Sequence, residues 1–312
     1  MRSEEGLVAC SITCVVSLAT GPSVLGEHSD QLPRQLGGIN RSSASLIDVQ
    51  TLAPRLTAAL PSRLSAAVDS EQWELARRIH RSMLPQGFCD ERVEIVVRYD
   101  EVDVVGGDYF SLFKTDEDKL FLCLYHVTGR GVAGALMATR IDSFVRHEIS
   151  IVGHPCDVVE RLQRFVRQHF GQLNLQAAFF CVELDLRWGG LTYAGAGHPP
   201  ALLWHKNGDA IERLESLNPL LGSSAETARE CHLQKTSVEP GDRLLLFSAS
   251  VIETKNATGD FLGVGSLESA FSALPADARC NDTIEEILAV RRRFGRIENF
   301  DNDTLIVAGR FF

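Results

Sequence analysis

Phe121-Leu-Cys-Leu-Tyr-His-Val-Thr-Gly-Arg-Gly131 is an apolar run that ends in a polar residue and a Gly129-x-Gly131 turn, then enters a helical pattern at Val132. A strand that stops at such a turn presents its last side chain to solvent or to a ligand, so His126 stands where chemistry is often done. Working outward, Asp108 to Lys114 and Lys119 to Tyr125 are strand-like segments flanking a polar turn, and Gln176 to Asp185 and Gly190 to Ala194 flank a Trp188-Gly-Gly turn. Connections this short require antiparallel pairing, because a parallel pair needs a crossover of about a dozen residues or more. Two helical patterns, Val132 to Ser150 and Cys156 to Phe170, lie together between these strand pairs. Strands grouped with strands and helices with helices predict an α+β layered fold and argue against a doubly wound parallel sheet.

The composition bounds the function. The 312 residues are 45% hydrophobic and 23% charged, which describes a soluble globular chain with one sizeable core and an appendage. A net charge of −10 argues against nucleic acid or an anionic membrane as partner, since phosphates are held by clustered Lys and Arg. The eight cysteines form no C-x-x-C pair of the zinc or thioredoxin kind, and Cys123 and Cys181, inside apolar runs, read as small buried hydrophobes in a reducing compartment. Leu7 to Ala19 resembles a short signal core, but Glu4 and Glu5 precede it and it is too short to span a bilayer, so the expected location is cytoplasmic.

Residues 1–60, with Gly-Pro, Gly-Gly and Ser-Ser pairs and no sustained periodicity, read as a poorly ordered leader and linker. A linker helix is predicted over 61–85: Leu75, Ala76, Ile79, Met83 and Leu84 fall at helical spacing, and Pro85 followed by Gly87 ends it. That face serves either to pack on the domain or to pair with a second helix. The main domain then covers 86–312.

Two acidic positions stand out. Gly106-Gly107-Asp108 puts a carboxylate at the start of a strand, behind glycines that allow close backbone approach, and Asp301-Asn302-Asp303-Thr304 puts another before the apolar run Leu305 to Ala308. Each alone is ordinary turn chemistry.

Taken in order, Leu84-Pro85, Val105-Gly-Gly-Asp-Tyr-Phe110, Val127-Thr-Gly-Arg-Gly-Val-Ala-Gly-Ala-Leu136, Ala194-Gly-Ala-Gly-His-Pro-Pro200, Leu244-Leu-Leu-Phe-Ser248 with Glu253 beyond it, and Asp301-Asn-Asp-Thr304 form a specific set. The set resembles the PPM-type metal-dependent protein serine/threonine phosphatases, in particular their bacterial branch of SpoIIE and the sigma-B regulators, over about residues 75–312. The resemblance implies an α-β-β-α sandwich, two antiparallel sheets flanked by helix pairs. It also implies a binuclear Mg²⁺ or Mn²⁺ site built from carboxylates, in which two cations generate a hydroxide and neutralise phosphoryl oxygens.

Carried over residue by residue, the resemblance assigns metal ligation to Asp108 and Asp301. The family's bridging aspartate aligns with His126, where the pattern reads Asp-Val-Ser-Gly-His-Gly, and the aspartate of its Ser-Asp-Gly motif aligns with Ala249. An imidazole offers one nitrogen to a metal, cannot imitate a short carboxylate bridge, and favours softer cations than magnesium; alanine donates nothing. The resemblance thus implies weak or absent Mn²⁺ or Mg²⁺ binding and a pseudophosphatase. The alternative is an active enzyme with a rearranged site, one metal held by Asp108, Asp301 and His126 with Asp303 or Glu253 nearby.

Arg130 stands where the family has a histidine and is a candidate for holding a phosphate oxygen without metal, against the plain alternative of a surface arginine in a turn. His198 before two prolines reads as a packed turn residue, and Glu253 as an orienter of local backbone. The family further implies a phosphoprotein partner of the anti-sigma-factor-antagonist type and a homodimer or relay through the helix at 62–85.

Overall fold

The structure, a computed structural model, describes residues 62–312 apart from 103–105, 117, 130, 224–229 and 297–301. The leader and linker expected over 1–60, the metal-ligand candidate Asp301 and the phosphate candidate Arg130 therefore lie outside the described residues. The chain divides into two units, Met1–Ala66 and Ala67–Phe312. The second unit holds both β-sheets.

In chain order its elements are α1 (Ser62–Met83, whose first residues belong to the other unit), β1 (Gly87–Cys89), β2 (Val93–Asp100), β3 (Asp108–Lys114), β4 (Lys119–Val127), α2 (Gly131–Val152), α3 (Pro155–Phe170), β5 (Ala177–Asp185), β6 (Gly190–Ala196), β7 (Ala201–His205), β8 (Ala210–Leu214), β9 (Gln234–Ser237), β10 (Arg243–Phe247), a single turn α4 (Ala249–Ile252), α5 (Gly263–Ser272), α6 (Cys280–Gly295) and β11 (Thr304–Phe311). The strands form two sheets, ordered β1-β2-β11-β10-β7-β8 and β3-β4-β5-β6-β9, and every neighbouring pair is antiparallel.

The alternation of side chains along each strand builds three apolar layers. In β4, Leu120, Leu122 and Leu124 face between the sheets, where they meet Leu203, Leu244, Leu246, Leu305 and Val307 of the other sheet. Phe121, Cys123, Tyr125 and Val127 face the opposite way, against Met137, Ile141 and Val145 of α2 and Val158, Leu162 and Val166 of α3. Leu245, Phe247, Ile306 and Ala308 meet α5 and α6 through Leu267, Phe271, Ile284 and Leu288. The result is the α-β-β-α sandwich that the resemblance implied, within the α+β layered class that the grouping of strands and helices predicted. Because helices cover the outer faces, both faces of the central strands are apolar, which is why the run at 120–125 shows no polar alternation.

One boundary differs from the sequence reading in a way that matters. β4 does not stop before His126 but runs on to Val127, since His126 pairs with Asp108 of β3 and with Ala178 of β5, and Val127 pairs with Ala177. His126 is thus held in the ladder on both sides.

Helix α1 buries a different face from the one its leucine and isoleucine spacing suggested. His80 is buried and Met83 packs on the α2–α3 layer, whereas Trp73, Leu75 and Ile79 are 43%, 54% and 54% exposed. The buried face docks by charge: Glu101, just beyond β2, receives Arg81 at 3.0 Å and Arg77 at 3.8 Å, with His80 at 3.7 Å.

Cys123 and Cys181 are buried cross-strand neighbours with their sulfurs 3.5 Å apart, and burial raises the Cys123 thiol well above its usual range. The sequence reading found no partner for Cys156 or Cys231. They form a disulfide between the first turn of α3 and the segment before β9. Among the described residues no helix is long and apolar enough to cross a membrane.

Candidate active site

The strand ends converge on one cleft. It has a volume of about 480 Å³, and its lining includes Asp108, His126, Ala249, Glu253, Asn302 and Asp303. Asp108 opens β3, His126 nears the end of β4, Ala249 follows β10, and Asp303 precedes β11, so the cleft sits at one end of the sandwich where four strands start or stop.

Asp108 and His126 are cross-strand partners, and the imidazole Nδ1 lies 2.6 Å from the Asp108 carboxylate. Asp108 is buried, whereas 45% of the His126 side chain is exposed. The hydrogen bond to Asp108 raises the His126 pKa above its usual 6.5, against the opposing effect of burial and with help from the charges of Glu253 and Asp303. This places an imidazole–carboxylate pair in the cleft, bridging the ends of β3 and β4. Backbone fixes it there: the Val127 amide donates to the Gly107 carbonyl at 3.1 Å, and Thr128 exchanges bonds with Gln176 through both its amide and its hydroxyl.

The double glycine ahead of Asp108 has a steric cause. A Cβ on Gly107 would stand 2.9 Å from the Val127 carbonyl oxygen, and one on Gly106 would run into the Asp303 carboxylate and the Tyr99 hydroxyl. A side chain at Gly107 would push β3 away from the turn after β4, and one at Gly106 would displace the side chains of Asp303 and Tyr99.

Asp303, which the sequence offered only as a neighbour of Asp301, accepts the Tyr99 hydroxyl at 3.1 Å and the Val102 amide at 2.8 Å. Sequence reasoning missed what holds this rim. Ser250 donates to the Asp303 carbonyl at 2.6 Å, Ser248 Oγ receives the Leu305 amide at 3.1 Å, and buried Arg291 of α6 binds Thr254 Oγ1 at 2.6 Å, the Ser250 carbonyl at 3.0 Å, and Thr304 Oγ1. Arg291 thereby ties the Ser248-Ala-Ser250 turn to the start of β11. No local pattern marks it, because its partners are brought together only by the fold.

His198 is a packed residue, as the following prolines suggested. It is buried, its Nδ1–H donates to the Pro199 carbonyl at 2.9 Å, and burial pushes its pKa down to about 4, so it is neutral near pH 7. Glu253 lines the cleft. Among the described residues no group of three or more His, Cys, Asp or Glu side chains is arranged to hold a metal ion.

The family described as Stage II sporulation protein E (SpoIIE) matches residues 116–311, more than half of the chain and the region that supplies His126, Ala249 and Asp303. This chain belongs to the SpoIIE family. The SpoIIE-type domain is similar to phosphoserine phosphatase RsbP of Bacillus subtilis (strain 168), 26% identical over 184 residues that make up 58% of this chain and 45% of RsbP. It is also similar to phosphoserine phosphatase RsbU of the same organism, 25% identical over 248 residues, 76% of this chain and 69% of RsbU. This chain thus spans less than half of RsbP. Among solved structures, the SiaA-PP2C domain of Pseudomonas aeruginosa superposes with a TM-score of 0.67 at 18% identity, covering 80% of this chain and 99% of that one, a likeness of fold.

Proposed function

We propose that this SpoIIE-type domain is a pseudophosphatase: a PPM sandwich that keeps the cleft for a phosphorylated partner but has given up two-metal hydrolysis. The observation that carries this reading is the contact between His126 and Asp108. A carboxylate that the resemblance assigns to a metal instead accepts a 2.6 Å bond from an imidazole standing in place of the bridging aspartate. Ala249, in place of the other aspartate, lines the same cleft with a methyl group. The residues present do not fit a pair of hard divalent cations, which need several oxygen ligands, because an imidazole engages Asp108 and Ala249 offers no donor. No hydrolytic step is therefore assigned to the cleft. The similarity to RsbP and RsbU supports a place in bacterial partner-switching signalling, with a phosphorylated anti-sigma-factor-antagonist-type protein as partner. Exposed Trp73, Leu75 and Ile79 on α1 support pairing of two chains through the 62–85 helix.

Calorimetric titration of Mn²⁺ tests the reading. The wild-type chain is expected to show no saturable binding at micromolar Mn²⁺, and the double variant His126→Asp with Ala249→Asp is expected to gain it. Micromolar binding by the wild type would overturn the proposal.

A second reading keeps one cation on Asp108, Asp301 and His126 with Asp303 or Glu253. It is favoured by the carboxylates of Asp108, Glu253 and Asp303 that still ring the cleft. It requires metal-dependent hydrolysis of p-nitrophenyl phosphate that disappears in Asp108→Ala.

A further inference from the structure

The outer surface of the α2–α3 helix pair, facing away from the sheets, carries a groove of about 460 Å³ lined by Phe144, Glu148, Arg161, Arg164, Phe165, Gln168 and His169. Phe144 and Phe165 stack at its floor with centroids 4.2 Å apart. Arg140 lies over the Phe165 ring and donates to His169, which leaves its charge without a carboxylate among the described residues. The single acid of the groove, Glu148, is taken by Arg161 at 2.9 Å, and Arg164 is exposed with no ion pair among the described residues. In a chain of net charge −10 this is a local excess of positive charge.

Apolar side chains flank it. Leu136 and Ile151 of α2 are 67% and 58% exposed, and helical spacing puts them on the same stripe as Arg140, Phe144 and His147. Large aliphatic residues exposed beside arginines and an aromatic floor are not what a solvated helix surface needs. From Leu136 to Ile151 the stripe is about 22 Å long, four turns of helix.

We propose that this groove docks an acidic amphipathic helix of a partner protein, whose apolar stripe covers Leu136, Phe144 and Ile151 while its carboxylates meet Arg140, Arg164 and His169. Charge complementarity selects this occupant, and the length of the stripe sets its size. A concave aromatic floor suits a helix better than a flat bilayer, and the net negative charge of the chain disfavours an anionic membrane or a nucleic acid. The surface is separate from the cleft at the strand ends and does not depend on whether that cleft hydrolyses anything.

The test uses the full chain and a fluorescein-labelled peptide of about 18 residues with Leu at helical spacing and Glu elsewhere, followed by anisotropy. Saturable binding is expected, weakened at least about tenfold by Arg164→Glu and again by Ile151→Lys, and weakened by raising salt from about 50 to 300 mM. Both residues are exposed and bond to nothing that holds the fold, so circular dichroism of these variants should be unchanged. A peptide with Lys in place of Glu should not bind. Absence of binding up to ~1 mM peptide, equal affinity of Arg164→Glu, or stronger association with vesicles of about one-third phosphatidylglycerol than with the peptide would each overturn the proposal.

Discussion

At the scale of single residues, two histidines near the cleft are shifted in opposite directions. For His126 the bond to Asp108 outweighs burial, so the folded pKa lies above 6.5. The stabilisation from this pair is therefore fully present below the unfolded pKa and is lost as pH rises through the raised folded value. An NMR titration of the His126 ring should report a midpoint above 6.5, and Asp108→Asn should lower it, since the largest effect opposing burial is then removed. An unchanged midpoint would mean that the carboxylate does not hold the imidazole. His198 is the converse. With a folded pKa near 4 against an ordinary 6.5, it binds a proton in the unfolded chain before it can in the fold. Stability should fall as pH drops from 6.5 toward 4, with a contribution approaching about 1.4 kcal/mol per pH unit in mid-window, and His198→Asn should flatten that part of the urea-midpoint profile.

At the scale of elements, the rim of the cleft depends on α6 through one side chain. Arg291 is buried and bonds to Thr254, Ser250 and Thr304, so removing its guanidinium takes a charged hydrogen bond from each of three polar groups. With charged hydrogen bonds worth about 1.5–3 kcal/mol each and not additive, Arg291→Met should lower unfolding stability by roughly 3 kcal/mol, read from urea midpoints at constant m-value. A loss below about 0.5 kcal/mol would show that the turn at Ser248–Ser250 holds without it. This residue also marks the limit of what the sequence conveys. The strands at 108–114 and 119–125 and the helices after them were legible because apolar runs of strand length and helical repeats are local signals and the connections between them are short. The order of motifs then placed Asp108, His126 and Ala249 in one cleft. Arg291 and Tyr99 carried no such signal, since Tyr99 reaches Asp303 across 204 residues of sequence. Nor could spacing pair Cys156 with Cys231, 75 residues apart, because scattered cysteines state no connectivity. On α1 the periodic Leu75 and Ile79 named one face, while the charge of Glu101 drew in the other.

At the scale of the whole unit, the three apolar layers share strands, and β4 belongs to two of them: Leu122 faces between the sheets, and Cys123 faces the helices. A void at Leu122 should therefore be felt throughout the sandwich and not in one sheet alone. Leu122 is completely buried, and Leu122→Ala should cost about 2–5 kcal/mol, the range for removing a core leucine where neighbours relax only in part. Far-UV circular dichroism and tryptophan fluorescence sample different regions, because Trp204 is buried beneath α5 and α6 on the sheet that does not contain Leu122, whereas Trp73 and Trp188 are exposed. If the layers unfold as one body, both signals should shift to the same lower urea midpoint in the variant. A fluorescence transition that stays at the wild-type midpoint while the dichroism shifts would mean that the two sheets unfold separately. The cleft, which draws Asp108 and His126 from one sheet and the ends of β10 and β11 from the other, would then open before the molecule as a whole.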